Sequence, residues 1–421
     1  MQHGNSRAFV AALAIGFATC TMPATALEFA GAALGHDFEA VLNQTITAGV
    51  GFRLEERDSR LVGKSNIDPN VCGGVYQSCQ GLHRTQAYPA AHLRRVPGAA
   101  SLNFDDGNLN FDRGDVTQSP IVWSHDFKIE SGDVGFFYRG RAVYDPALYH
   151  LKARYPNRIT ADNVGAVGTA DPGSPSNRYF VRTYGPGGDV RMDLAEAEAQ
   201  QIGLRYQFLD ANFFGQLPLP GDRELQFRIG RQTVQWGEAT VALINSVNQA
   251  QPINANAFYR YGNGLLEDLY IPVNMLRLST NIVDSLSIEG YYQFEFRSIE
   301  VPTPGTLQSF VDLGTPNQRD FANASFGGSA DDPDCVARGR QDNPLTLITP
   351  TCLRIGRYQD RRASDQGQYG FKLTYFAEEL NNGTEFSFYF MNYHSKLPYF
   401  STYATAASCA RRVPRLTATM T

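Results

Sequence analysis

Ser124, His125 and Asp126 put the three side-chain types of a hydrolytic triad into consecutive positions. On an extended backbone, successive side chains point to opposite faces, so His125 projects away from both neighbours and the trio cannot relay a proton locally. No G-x-S-x-G elbow, H-E-x-x-H pair or P-loop occurs in the chain. Hydrolysis would need a site gathered from distant residues, and the sequence is read as non-enzymatic.

Two groups of oxygen ligands could hold a hard cation such as Ca²⁺. They are Asp105, Asp106, Asn108 and Asp112, and Asp331, Asp332 and Asp334. The same residue types also form turns and solvated acidic loops. The second reading is preferred, so neither a metal nor a cofactor is expected. The cysteines suggest an oxidising compartment. Cys72 with Cys79 and Cys335 with Cys352 bracket two loops, which makes two local disulfides the economical pairing. Neither pair has the C-x-x-C spacing of a zinc site. Cys20 lies in the N-terminal segment, and Cys409 is left odd.

The remaining chemistry is charge and amide. Arg139, Arg141, Arg205, Arg228, Arg231, Glu289, Glu295 and Arg297 fall opposite apolar faces in segments of alternating pattern. They could set up a transverse field that orients a passing solute, or pair with one another and stiffen a wall. Between Arg228 and Met275, a run with Glu238, Asn245, Asn248, Gln249, Gln251, Asn254 and Asn256 interrupts the strand pattern. Its amides both donate and accept, while Val241, Leu243, Ile244 and Phe258 offer apolar contact. The expected pore-lining set is therefore Arg139, Arg141, Arg228, Arg231, Glu238, Asn245, Asn248, Glu289, Glu295 and Arg297.

These residues sit among alternating strands. Ile46, Ala48, Val50, Phe52 and Leu54 share one face. Ile121, Trp123, Phe127 and Ile129 share another, and after a turn over Glu130-Ser-Gly-Asp133 the return strand carries Val134, Phe136, Tyr138, Ala142 and Tyr144. The pattern resumes with Ile202, Leu204, Tyr206 and Phe208, turns at Pro220-Gly-Asp222, and returns through Leu225, Phe227 and Ile229. Leu276, Leu278, Thr280 and Ile282 then lead through Asp284-Ser285 to Leu286, Ile288, Tyr292, Phe294 and Phe296. A last hairpin turns at Asn381-Asn-Gly383. Long connections over 55–97, 146–201 and 302–362 alternate with these short turns, and a short helix is expected near 193–201. Short turns at one end and long loops at the other is the wiring of an outer-membrane barrel.

Composition agrees with that reading. Charged residues make up 19% and aromatics 12%, with 39 Gly, 21 Tyr and 27 Phe, and the mean hydropathy is -0.31. Beyond the N-terminal segment no apolar run approaches the roughly 20 residues of a membrane helix. A net charge of -5 argues against a nucleic-acid partner. Arg7, the apolar stretch 8–18 and Ala24-Thr25-Ala26 read as a signal peptide over residues 1–26, cleaved before Leu27.

Four motifs carry a family likeness: Asn103-Phe-Asp-Asp-Gly-Asn-Leu-Asn-Phe111, Gly230-Arg-Gln-Thr-Val-Gln-Trp-Gly-Glu238, the amide run Asn245–Pro252, and Leu266-Glu-Asp-Leu-Tyr-Ile-Pro-Val-Asn-Met-Leu276. In this order and spacing they resemble a proteobacterial outer-membrane, porin-like β-barrel family catalogued as a domain of unknown function, over most of the mature chain. The resemblance implies a channel for hydrophobic compounds such as lipids or steroids. It also implies a gene neighbourhood with a second exported protein and a resistance-nodulation-division type transporter, and hence a periplasmic partner and an inner-membrane exporter. It brings no catalytic residues. Family members run longer and end in an amphipathic strand with a terminal aromatic. The basic tail 408–421 departs from that ending and is expected to reflect truncation or a frameshift.

The expectation is thus all-β: an antiparallel transmembrane β-barrel over 27–407, incomplete at its closing strands, with long extracellular loops and a central non-strand insert. It sits in the outer membrane of a Gram-negative bacterium, in contact with lipid, and passes small amphipathic or hydrophobic solutes. A non-conducting docking component and an outer-membrane hydrolase are the competing expectations.

Overall fold

The computed structural model describes residues 17–21, 25–33, 36–67, 90–157, 188–237, 247–260, 269–309, 321–323 and 354–401. It is dominated by antiparallel β-structure. The main strands are β1 (Phe17–Thr21), β2 (Thr25–Ala33), β3 (His36–Phe52), β4 (Val116–Gln118), β5 (Ile121–Ser131) and β6 (Val134–Tyr144). A separate two-stranded ribbon pairs β7 (Lys152–Asn157) with β8 (Gly188–Asp193). The sheet continues with β9 (Leu204–Leu219), β10 (Arg223–Gln232), β11 (Val273–Val283) and β12 (Leu286–Gln293). A second small ribbon joins β13 (Phe321–Asn323) and β14 (Arg354–Gly356), and the last hairpin is β15 (Gln368–Ala377) with β16 (Thr384–Asn392).

The order across the 12-stranded sheet is β1-β3-β5-β6-β9-β10-β11-β12-β15-β16, with β2 and β4 also on β3. Nearly every neighbour in space is the next main strand in sequence, as in a meander. The sheet as described is open: β1 and β2 form one edge and β16 the other. No described helix is long and apolar enough to cross a membrane.

The registers connect one row of apolar side chains across the sheet. Ile46 faces Trp123, Trp123 faces Ala142 and Ala142 faces Tyr206. Farther on, Phe136, Phe213, Ile229, Leu276, Tyr292 and Tyr369 stand opposite one another in turn. Large side chains on this face are solvent-accessible, among them Trp123, Tyr206, Phe208, Ile229 and Phe388, with Phe213 61% exposed. The other face carries buried polar groups: Arg141, Asp210, Asn212, Gln232 and Gln293. The usual arrangement of a water-soluble sheet is thereby reversed.

Short turns close one end of the sheet. At Asn381-Asn-Gly383 all three residues take positive φ (51°, 62° and 108°), a conformation that Asn and Gly reach at the least steric cost. At the other end the connections fold into short helices, including Pro146–Tyr149, Glu196–Gly203 and Ala255–Phe258. Phe111, Leu148 and Ile202 form a small core there, with Leu151, Leu194 and Leu307 packed against it.

The expected strands are found, with corrections at their ends. Ile202 belongs to the helix Glu196–Gly203 and is buried, rather than starting β9. β12 ends at Gln293, so Phe294 and Phe296 lie beyond it, and Phe296 is buried. β1, β2 and the β7–β8 ribbon are strands that the alternation did not mark. β1 and the start of β2 fall within the expected signal segment. The four loop cysteines, the Asp331–Asp334 acids and the 408–421 tail lie outside the described residues.

Candidate functional site

The site is built where the segment after β10 turns back onto the polar face of the sheet. Trp236 is 3% exposed, in a cluster with Val234, Ala250, Val273, Met275 and Tyr291, against which Val247, Tyr389 and Met391 pack. Its ring centroid lies 5.0 Å from that of Tyr291 and 5.9 Å from that of Tyr389. A buried indole N–H needs an acceptor, and here Nε1 donates to Glu289 Oε1 at 2.7 Å. Gly237 follows with φ 89°, a left-handed turn that suits glycine.

Asn248 locks this turn. Its Oδ1 accepts from the Trp236 amide at 2.6 Å and its Nδ2 donates to the Tyr270 hydroxyl at 3.1 Å. The Val247 amide donates to the Trp236 carbonyl at 3.1 Å, closing the loop between them. Asn254 caps the helix Ala255–Phe258 by accepting from the Ala257 amide at 3.1 Å. Asn256 holds the segment after β12, accepting from the Thr303 amide at 2.9 Å and donating to the Val301 carbonyl at 3.2 Å. Asn248, Asn254 and Asn256 are thus internal braces. Glu238 and Asn245 lie outside the described residues.

Glu289 is a junction. Its second oxygen accepts from Arg277 at 2.7 Å, and Lys372 stands opposite it on β15. Arg277 in turn stands opposite Arg228 on β10. On the other half of the sheet Arg139 pairs with Asp210 at 2.7 Å, both side chains largely buried. A bulge allows that pair. The β6–β9 register shifts between Tyr138 and Gly140, so Leu209 and Asp210 together stand opposite the single residue Arg139, and both are buried. Arg141 Nε donates to Ser124 Oγ at 3.1 Å.

Arg231 departs from expectation. Alternation puts it on the face of Ile229, away from Arg228, and its guanidinium lies 5.4 Å from the ring centroid of Phe208. It reaches Glu295 at 3.7 Å, which also holds Arg297 at 3.2 Å. Glu295 and Arg297 lie past the end of β12, where they hold the chain leaving the strand. Arg205 binds Glu300 through two bonds of 2.6 and 2.7 Å, fixing the segment after β12 to β9. Next to it, burial and the neighbouring Arg205 bring Arg260 down to about 10, with Asp145 acting the other way. Burial raises the Asp145 carboxyl against bonds from Ser119 and Leu148 and the charge of Arg260.

His125 stands apart from Ser124 and Asp126, as strand geometry requires. Its Nε2 lies 2.8 Å from the Tyr206 hydroxyl on the apolar face, while Ser124 is on the polar face with Arg141. The acids of the first oxygen-ligand group are dispersed. Asp105 accepts from the Gly63 amide and Asn66, Asn108 from Arg53, and Asp112 from Arg57 and Arg154. Among the described residues no group of three potential metal ligands converges.

Residues 7–418 match the family model described as protein of unknown function (DUF1302). The chain belongs to the DUF1302 family. No curated protein and no solved structure matches it. In this DUF1302 chain the residues that organise the site are Trp236, Arg277, Asp210 and Lys372; Trp236 falls within one of the four sequence motifs, but none of the four was expected as a site residue. One signal was available for Trp236: a single indole next to glycine in a polar run needs somewhere to be buried.

Proposed function

We propose that this chain is an outer-membrane channel-like protein whose sheet forms the wall of a β-barrel, with the apolar face toward lipid and the polar face toward the passage. The observation that carries the reading is the reversal of the two faces: exposed aromatics along one, buried charges and amides along the other. Such a face is costly in water and favourable in hydrocarbon. The segment after β10 supports a constriction, because Trp236 and Asn248 brace it against the polar face beside Glu289. Solutes of amphipathic or hydrophobic character suit a route lined by both amides and aromatic rings.

Single-channel recording in planar bilayers tests the reading. The wild-type chain should give discrete conductance steps. Gln232 and Val273 end the β10–β11 ladder opposite each other, so residues 234–271 can be replaced by a two-residue Asn-Gly turn. That replacement should enlarge the steps. Unchanged steps would sink the constriction, and no steps from correctly folded wild type would sink the channel.

One observation favours a second reading, a docking component for a periplasmic partner. Among the described residues, the edges at β2 and β16 are unpaired, and such edges present backbone groups that seek another strand. Liposome swelling with graded solutes separates the two, since a docking component leaves swelling at the level of empty liposomes.

A further inference from the structure

We propose that the polar face carries a binding site for a small organic carboxylate, centred on the guanidinium of Arg228 with Arg277 beside it. The register sets these two cations directly opposite each other on neighbouring strands, an arrangement that opposes folding unless anions offset it. Arg277 has its anion, Glu289, at 2.7 Å. The other Glu289 oxygen is occupied by the Trp236 indole, and Asp210, the next carboxylate on the face, is held by Arg139. Arg228 is left with only the more distant charge of Asp210. Its guanidinium lies 5.7 Å from the Phe214 ring centroid, and among the described residues its side chain makes no ion pair.

The space in front of it is a cleft of about 310 Å³, lined by Arg228, Arg277, Gln226, Ser279 and Phe214. That is near the lower limit of ligand clefts and suits a small head group with a short chain. A guanidinium presents parallel N–H donors that match the two oxygens of a carboxylate, and the Phe214 ring offers apolar contact. Glu130 and Asp133 line the turn end of the same cleft, and Lys128 holds Glu130 at 2.7 Å. The cleft is therefore polarised, with carboxylates at the turn and guanidinium groups farther along the strands, so an anion would be drawn to one end. This inference deepens the channel reading and rests on it for its biological use, whereas binding itself needs no membrane.

The chain contains its own reporter. Trp236 is linked through Glu289 to Arg277, and Trp123, the second of 2 tryptophans, is removed by W123F. Titrating the detergent-solubilised W123F protein with hexanoate should change Trp236 emission saturably, and hexanol should not. Adding R228Q should weaken hexanoate binding roughly tenfold or more, with folding checked by heat-modifiable electrophoretic mobility. R228K, which keeps the charge but loses the fork, should fall between the two. Absence of saturable binding by the folded W123F protein, or equal affinity in R228Q, overturns the site. Conductance without hexanoate binding removes the site and leaves the channel. Binding without conductance keeps the site and removes the channel.

Discussion

Lys396 is buried past the end of β16, with Nζ donating to Gln368 Oε1 at 2.5 Å and lying 4.7 Å from the Phe296 ring centroid. No carboxylate pairs with it among the described residues. Burial lowers it from 10.5 to about 8. Because the unfolded chain binds this proton more tightly, stability should rise with pH between about 8 and 10.5 and lose that contribution as pH falls through the window. Denaturant midpoints of the wild type and K396M across this range check it, since K396M should lack the rise. Gly230 makes a second prediction at this scale. Its φ is 125° and a Cβ there would sit 2.4 Å from the Ala211 carbonyl oxygen. Gly230→Ala should therefore cost about 2 kcal/mol or more, read as a lower unfolding midpoint with the β10 register disturbed.

The elements explain which parts of the structure the sequence could announce. Alternation is local, so Ile121 and Trp123 in β5 and Phe386, Phe388 and Phe390 in β16 declare their strands and faces within a few residues. Turn chemistry is local too, as at Asn381-Asn-Gly383. The bulge at Leu209 and Asp210 is different: it depends on β6 lying alongside, and it moves an acid onto the polar face to meet Arg139. The Trp236–Glu289 bond joins residues 53 positions apart, and no spacing rule reaches that far. Arg231 failed for a simpler reason, since it cannot share a face with Arg228 three positions earlier on one straight strand. Within the amide run, the braces made by Asn248, Asn254 and Asn256 reach partners that only the fold brings near, such as Tyr270 and Thr303. For the bulge pair, Asp210→Leu alone should cost about 3 kcal/mol by removing the carboxylate 2.7 Å from the largely buried Arg139 guanidinium, while the double change with Arg139→Met should recover part of that loss. A double-mutant cycle of urea unfolding in lipid vesicles measures it.

At the scale of the whole molecule, the proposed channel depends on which face of the sheet meets hydrocarbon. The two tryptophans sit on opposite sides of that question. Trp123 is 42% exposed on the apolar face, and Trp236 is 3% exposed under the segment braced to the polar face. Fluorescence in vesicles of lipids brominated along the acyl chains separates them, because bromine quenches an indole only at close range. The wild-type protein should be strongly quenched, and W123F, which keeps only Trp236, should be nearly unaffected. Equal quenching of the two proteins, or a wild type as bright as in unbrominated lipid, would contradict a membrane wall with its polar face turned inward.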